Sequence, residues 1–233
     1  MEEVKANCKV SIHQSQYLPW SPYFKKIALS DFFVLLDDVQ FQKNGVQNRN
    51  KLRSKNGEYW LTVPVNHKME ESISAKHITD NKALVKHWKS IEQSYSKAKN
   101  WFKYRDELYE IYTSEYNNLG DLNFDLIKFF MKNLKIETPI IKSSSLNLNE
   151  KKGDLVLKIC EVLNADVYVS GLGSKNYLEE SKFKEKNIEI EYLQSKSPEY
   201  QQIVEPFIAD LSILDFIMNG SEDEIYLYFN EII

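Results

Sequence analysis

The sequence predicts an α/β fold: a parallel sheet with flanking helices, Rossmann-like or nucleotidyltransferase-like, carrying a helical insertion. Three observations lead there. Short apolar runs of strand length alternate with helix-length segments towards both ends of the chain. A first strand, loop, helix and second strand fit within about 30 residues, the size of a βαβ unit. The run Phe32–Leu36 (FFVLL) is apolar at every position, as a strand covered on both faces requires.

Element by element, Cys8–Ile12 reads as a short buried strand that ends in the polar segment His13-Gln14-Ser15-Gln16. A helix follows to about Leu29, started by Pro19 and Pro22, because proline is tolerated in a first turn. Phe32–Leu36 is the second strand, closed by Asp37-Asp38. Phe41–Gly57 is polar and basic and reads as a loop, with Asn44-Gly45 and Asn56-Gly57 as turn dipeptides. Tyr59–Val65 is a strand that Pro64 assigns to an edge or an end. Residues 83–135 are the helical insertion. Ala83–Tyr116 is expected to break near Lys99-Asn100, and Asp121–Leu134 follows as a third helix. Trp88, Tyr95, Trp101, Phe102, Tyr109 and Tyr112 recur there as an aromatic stripe suited to core packing. Pro139–Lys142, Asp166–Ser170 and Ile188–Leu193 are strands; Lys151–Leu163, Asn176–Phe183, Leu211–Met218 and Glu222–Phe229 are helices. With no repeat and no low-complexity linker, residues 1–233 are expected to form one domain.

Bulk chemistry narrows the function classes. A formal charge of −4 argues against a general nucleic-acid binder, which carries a basic excess. Cys8 and Cys160 are the two cysteines, and neither lies in a CxxC or Cys/His cluster, so no structural zinc site is expected. No apolar leader follows the N-terminal charges, and no stretch approaches the roughly 18 apolar residues of a membrane span. A cytoplasmic location is expected, with peripheral association and homo-oligomerisation both left open.

Ligands of parallel sheets bind at the carboxyl ends of the strands, where His13, Asp37, Asp38 and Ser170–Lys175 fall. His13 could act as general base or acid, or simply hold its loop. Asp37 or Asp38 could orient His13, coordinate a divalent ion or bind a sugar hydroxyl, or cap the next turn; alternation lets at most one face the site. Of 30 basic residues, only Arg49, Arg53 and Arg105 are arginine, so Arg49 and Arg53, flanked by Asn48 and Asn50, are the phosphate-binding candidates. A solvated turn is the plain reading of that loop. Ser170, Gly171, Gly173 and Lys175 lie in a strand-to-helix turn that could admit an anion to backbone N–H groups. His67 and His77 are expected to be exposed, and His87 to be a core or surface residue. No Gly-x-Ser-x-Gly elbow is present, which disfavours covalent serine catalysis.

The chain resembles the WbqC-like family through Ile12-His13-Gln14, Tyr17-Leu18-Pro19-Trp20, Lys26-Ile27, Leu36-Asp37-Asp38-Val39-Gln40 and Gln47-Asn48-Arg49-Asn50. Trp60–Val65, His87-Trp88, Tyr168–Gly171, Tyr177-Leu178, Tyr200, Leu211–Asp215 and Asn219-Gly220 extend the match to near the C-terminus. Ser15 departs from the family pattern, which carries proline there, and the loop is expected to be less rigid for it. Within this signature Gln14 and Tyr17 join the substrate-binding candidates.

The resemblance implies a role in bacterial surface-glycan (O-antigen) sugar biosynthesis, transferring a glycyl or related acyl group to the amine of a nucleotide-linked amino sugar. The partners would be that sugar and an acyl or aminoacyl donor; no cofactor is carried over. An ATP-dependent adenylate-forming or nucleotidyltransferase-like enzyme, with Lys175 near the phosphates, is the second reading. A non-catalytic sugar-nucleotide binder is the third.

Overall fold

The structure is a computed structural model, which describes residues 7–68 and 70–230. Its centre is a sheet of five strands: β1 (Lys9–Gln14), β2 (Phe32–Leu36), β5 (Ile140–Lys142), β6 (Val167–Gly171) and β7 (Glu189–Leu193). They lie in the order β5-β2-β1-β6-β7, and every pair is parallel. Counted by appearance within the sheet, that is 3-2-1-4-5, the doubly wound order. Its topological switch lies between β1 and β6, where the chain turns from building one side of the sheet to building the other.

Strand alternation sends side chains to two cores. Val10, Ile12, Val34 and Leu36 pack with Ile159, Cys160 and Phe183 from α5 (Lys152–Val162) and α6 (Glu180–Glu185). Phe33 and Leu35 face the other way, into a larger core with Phe24 and Ile27 of α1 (Ser21–Ala28). Ser11 and His13 therefore share the α1 face of β1. The larger core takes in α2 (Lys82–Tyr95), α3 (Trp101–Thr113) and α4 (Leu119–Asn133), the expected helical insertion. Trp88, Tyr95, Trp101 and Tyr112 are buried there, and Trp88 stacks on Trp101. The aromatic stripe is narrower than expected, however: Phe102 is 75% exposed and Tyr109 50%. At about 100° per residue, both fall on the far side of α3 from Tyr104 and Leu108. Asn118 caps α4 by accepting from the Asp121 N–H at 2.9 Å. The chain closes with α7 (Ile213–Asn219) and α8 (Glu222–Asn230), which packs on α1. No helix among the described residues is long and apolar enough to cross a membrane.

Two expectations are corrected. The polar stretch 41–57 is not one loop: Arg49–Ser54 is strand β3, paired antiparallel with β4 (Gly57–Thr62) in a separate ribbon. Cross-strand pairing and burial of Asn50, Leu52 and Arg53 override the weak strand preference of Lys, Arg and Asn. The segment after β6 forms a 3-10 turn, Leu172–Asn176, and α6 begins only at Glu180.

Candidate functional site

The pairing of β1 with β6 runs from Lys9–Val167 to Ser11–Val169. Beyond it, Ile12, His13 and Gln14 continue along β2 alone. This divergence at the switch point is where doubly wound sheets hold ligands.

His13 is partly exposed there. Its Nδ1 lies 3.2 Å from the Gln14 carbonyl oxygen, and its ring meets Tyr23 edge-on at 4.9 Å. A carbonyl can only accept, so Nδ1 carries the proton and Nε2 of the neutral ring keeps its lone pair. Burial, then the nearby Lys26 charge, push the imidazole down to about 3, so the ring is neutral at physiological pH. Lys26 extends from α1 beneath it, 4% exposed, and donates to the Ile12 carbonyl at 2.8 Å. Burial lowers that ammonium to about 7.

Polar side chains close around the loop. The Gln47 amide donates to Gln14 Oε1 at 2.9 Å. Asn123 of α4 donates to Ser15 Oγ at 3.1 Å and to the Gln47 carbonyl at 2.9 Å. Asn123 Oδ1 and Ser11 Oγ are buried without a hydrogen-bond partner among the described residues. Lys26, Gln47 and Asn123 were not singled out in the sequence as site residues. For Asn123 a signal existed: it is the polar member of an apolar helical stripe with Leu119, Leu122, Leu126 and Ile127.

The other candidates divide. Asp37 accepts from the Ser144 N–H at 3.0 Å and the Ser144 hydroxyl at 2.8 Å. Asp38 also meets Ser143 Oγ, so both aspartates reach one serine turn. This corrects the expectation of opposite directions, because β2 has already ended at Leu36. Tyr17 is fully buried and bonded at 2.8 Å to both His87 Nδ1 and Tyr112 Oη. Asn48 donates to the Val63 carbonyl within the ribbon. Arg53 is 4% exposed and reaches the Val204 and Pro206 carbonyls, each at 3.0 Å. Arg49 stays near the surface, donating to the Asn44 carbonyl at 2.6 Å with its guanidinium 4.7 Å from the Trp60 ring centre. The 42–47 loop thus links Arg49 to Gln14. Across the switch, Ser170 and Ser174 share a 2.6 Å hydrogen bond, Gly171 and Gly173 leave open space, and Lys175 sits over Tyr192. A cleft of about 290 Å³ opens beside this turn, lined by Lys151, Gly153, Tyr177 and Lys182. It does not include His13, whose convergent polar groups define the stronger site. Among the described residues, no cluster of three or more His, Cys, Asp or Glu could hold a metal.

Fold and site together define a doubly wound α/β protein with a neutral histidine and a buried lysine at its switch point. The chain belongs to the WbqC-like protein family, whose model matches residues 14–226. It is 34% identical over 224 residues to the uncharacterized protein Rv1507c of Mycobacterium tuberculosis (strain ATCC 25618 / H37Rv), covering 94% of this chain and 97% of that one. No solved structure matches it.

Proposed function

We propose that the protein is a transferase of bacterial surface-glycan sugar biosynthesis. It would join a glycyl or related acyl group to the amine of a nucleotide-linked amino sugar. The observation that carries this reading is the neutral His13 at the parting of β1 and β6, with Nε2 left as a proton acceptor. The sugar amine attacks the donor carbonyl, a C–N bond forms as the bond from that carbonyl carbon to its carrier breaks, and the surplus amine proton passes to Nε2 and on to the departing carrier. Arg49 and the Ser170–Lys175 turn flank this centre as phosphate contacts. Asp37 and Asp38 hold the serine turn beside it.

Calorimetry with a UDP-linked amino sugar and with the same sugar lacking the nucleotide tests the reading. Tighter binding of the nucleotide form is expected; equal affinity would defeat it. A second reading, ATP-dependent carboxylate activation, draws on the 3-2-1-4-5 order, which also suits nucleotide-activating folds. Pyrophosphate release that requires ATP and magnesium would select it.

A further inference from the structure

We infer that Lys26 is an oxyanion-recognition group, placed to take a phosphoryl oxygen of the ligand where β1 and β6 part; this rests on the nucleotide-sugar reading above. An ammonium has three donors, and Lys26 uses one, on the Ile12 carbonyl. Ile12 is the first residue past the last β1–β6 pair, so the ammonium is anchored at the mouth of the switch point. It pairs with no carboxylate among the described residues, and burial alone accounts for its lowered basicity. His13 on β1 feels its charge, and Tyr23 on α1 meets the His13 ring and donates its hydroxyl to the Gln14 carbonyl. The buried aspartates have other partners, Asp37 on the serine turn and Asp215 on Tyr95 and Tyr200.

A buried cation without a counter-charge is costly, and a bound anion removes that cost. Ser11 Oγ, buried and unpartnered on the same face of β1, is a further hydroxyl with bonding capacity to spare. A diphosphate is preferred to a carboxylate because its two phosphoryl groups together offer a buried ammonium two negative charges and four unbridged oxygens, against one charge and two oxygens.

The test is a carbon NMR titration of the full chain labelled at lysine Cε, with the Lys26 signal assigned by its loss in Lys26→Met. Inorganic pyrophosphate and glycine are the two probes. Pyrophosphate is expected to move the Lys26 titration upward by at least one pH unit and glycine to leave it in place. Pyrophosphate affinity should fall roughly tenfold to a hundredfold in Lys26→Met, the scale of a charge-assisted bond. Lys26→Arg should recover part of it, while Arg105→Met on α3 should not change it. An upward move with glycine alone would overturn the phosphoryl assignment. No move with either probe, or equal affinity in Lys26→Met, would overturn the inference and leave Lys26 as a tether of Ile12. The nucleotide-sugar reading is judged separately, by the calorimetry above, so the two can fail independently.

Discussion

At the scale of single residues, Ser15 and the histidines His13 and His87 carry the clearest consequences. The resemblance implies a looser loop at Ser15, yet Ser15 is fully buried and bonded on both sides. Its N–H donates to the Leu36 carbonyl at 3.1 Å, and its hydroxyl accepts from Asn123. Ser15→Pro removes both bonds, at about 1 kcal/mol each. The stiffer unfolded chain returns only about 0.4–1 kcal/mol. A net loss is expected, read as a lower urea midpoint; an unchanged midpoint would show that the loop re-forms around proline. His13 and His87 make stability depend on pH. Burial pushes them down to about 3 and about 4, whereas unfolded histidine titrates near 6.5. Between about pH 4 and 6.5 the unfolded chain therefore binds more protons than the folded one, and stability must fall as pH drops through that window. His13→Asn should flatten the fall by about one proton when urea midpoints near pH 5 and near pH 7 are compared. The same substitution should lower turnover by about two to four orders of magnitude while ligand affinity persists. Turnover within a few-fold of wild type would leave His13 as a loop-holding residue.

At the scale of elements, the β3–β4 ribbon separates what the sequence discloses from what it does not. Apolar runs announce β2 and β6, because their burial depends on composition that can be read locally. Strand β3, RNKLRS, looks like a solvated loop, and only its pairing with β4 and its buried partners make it a strand. The Asn56-Gly57 turn was legible, and Gly57 takes a φ of 116° there. For the same reason, scarcity of arginine could not tell a ligand contact from a structural one. Arg53 fastens the ribbon to the 204–206 segment, whereas Arg49 remains available at the surface. Arg53→Met should cost about 2–3 kcal/mol by leaving two carbonyls without their charged donor. It should also hasten proteolysis between residues 195 and 210 with ligand affinity intact. Lost affinity at unchanged stability would return Arg53 to the ligand. Arg49→Lys should instead weaken binding about tenfold with little effect on stability, because lysine cannot make a bidentate contact.

At the scale of the whole molecule, the parallel sheet with flanking helices was readable from the alternation of elements, as was the place of His13 near the end of the first strand. The strand order was not, nor was the approach of Lys26 to His13 or of Asn123 to Ser15, since both depend on which faces meet after folding. That order has a consequence for how the protein is made. β1 lies between β2, complete by Leu36, and β6, which begins only at Val167. At about 5–20 residues per second, roughly ten to thirty seconds of synthesis separate β1 from its second neighbour. Through that interval Val10 and Ile12 lack the α5 side chains that cover them, and one flank of β1 offers unpaired backbone to any passing strand. The segment that bears His13 is therefore made well before it is protected. Nascent chains stalled short of Gly171 should be cut by protease within β1 and bind holding chaperones, and those released beyond α8 should do neither.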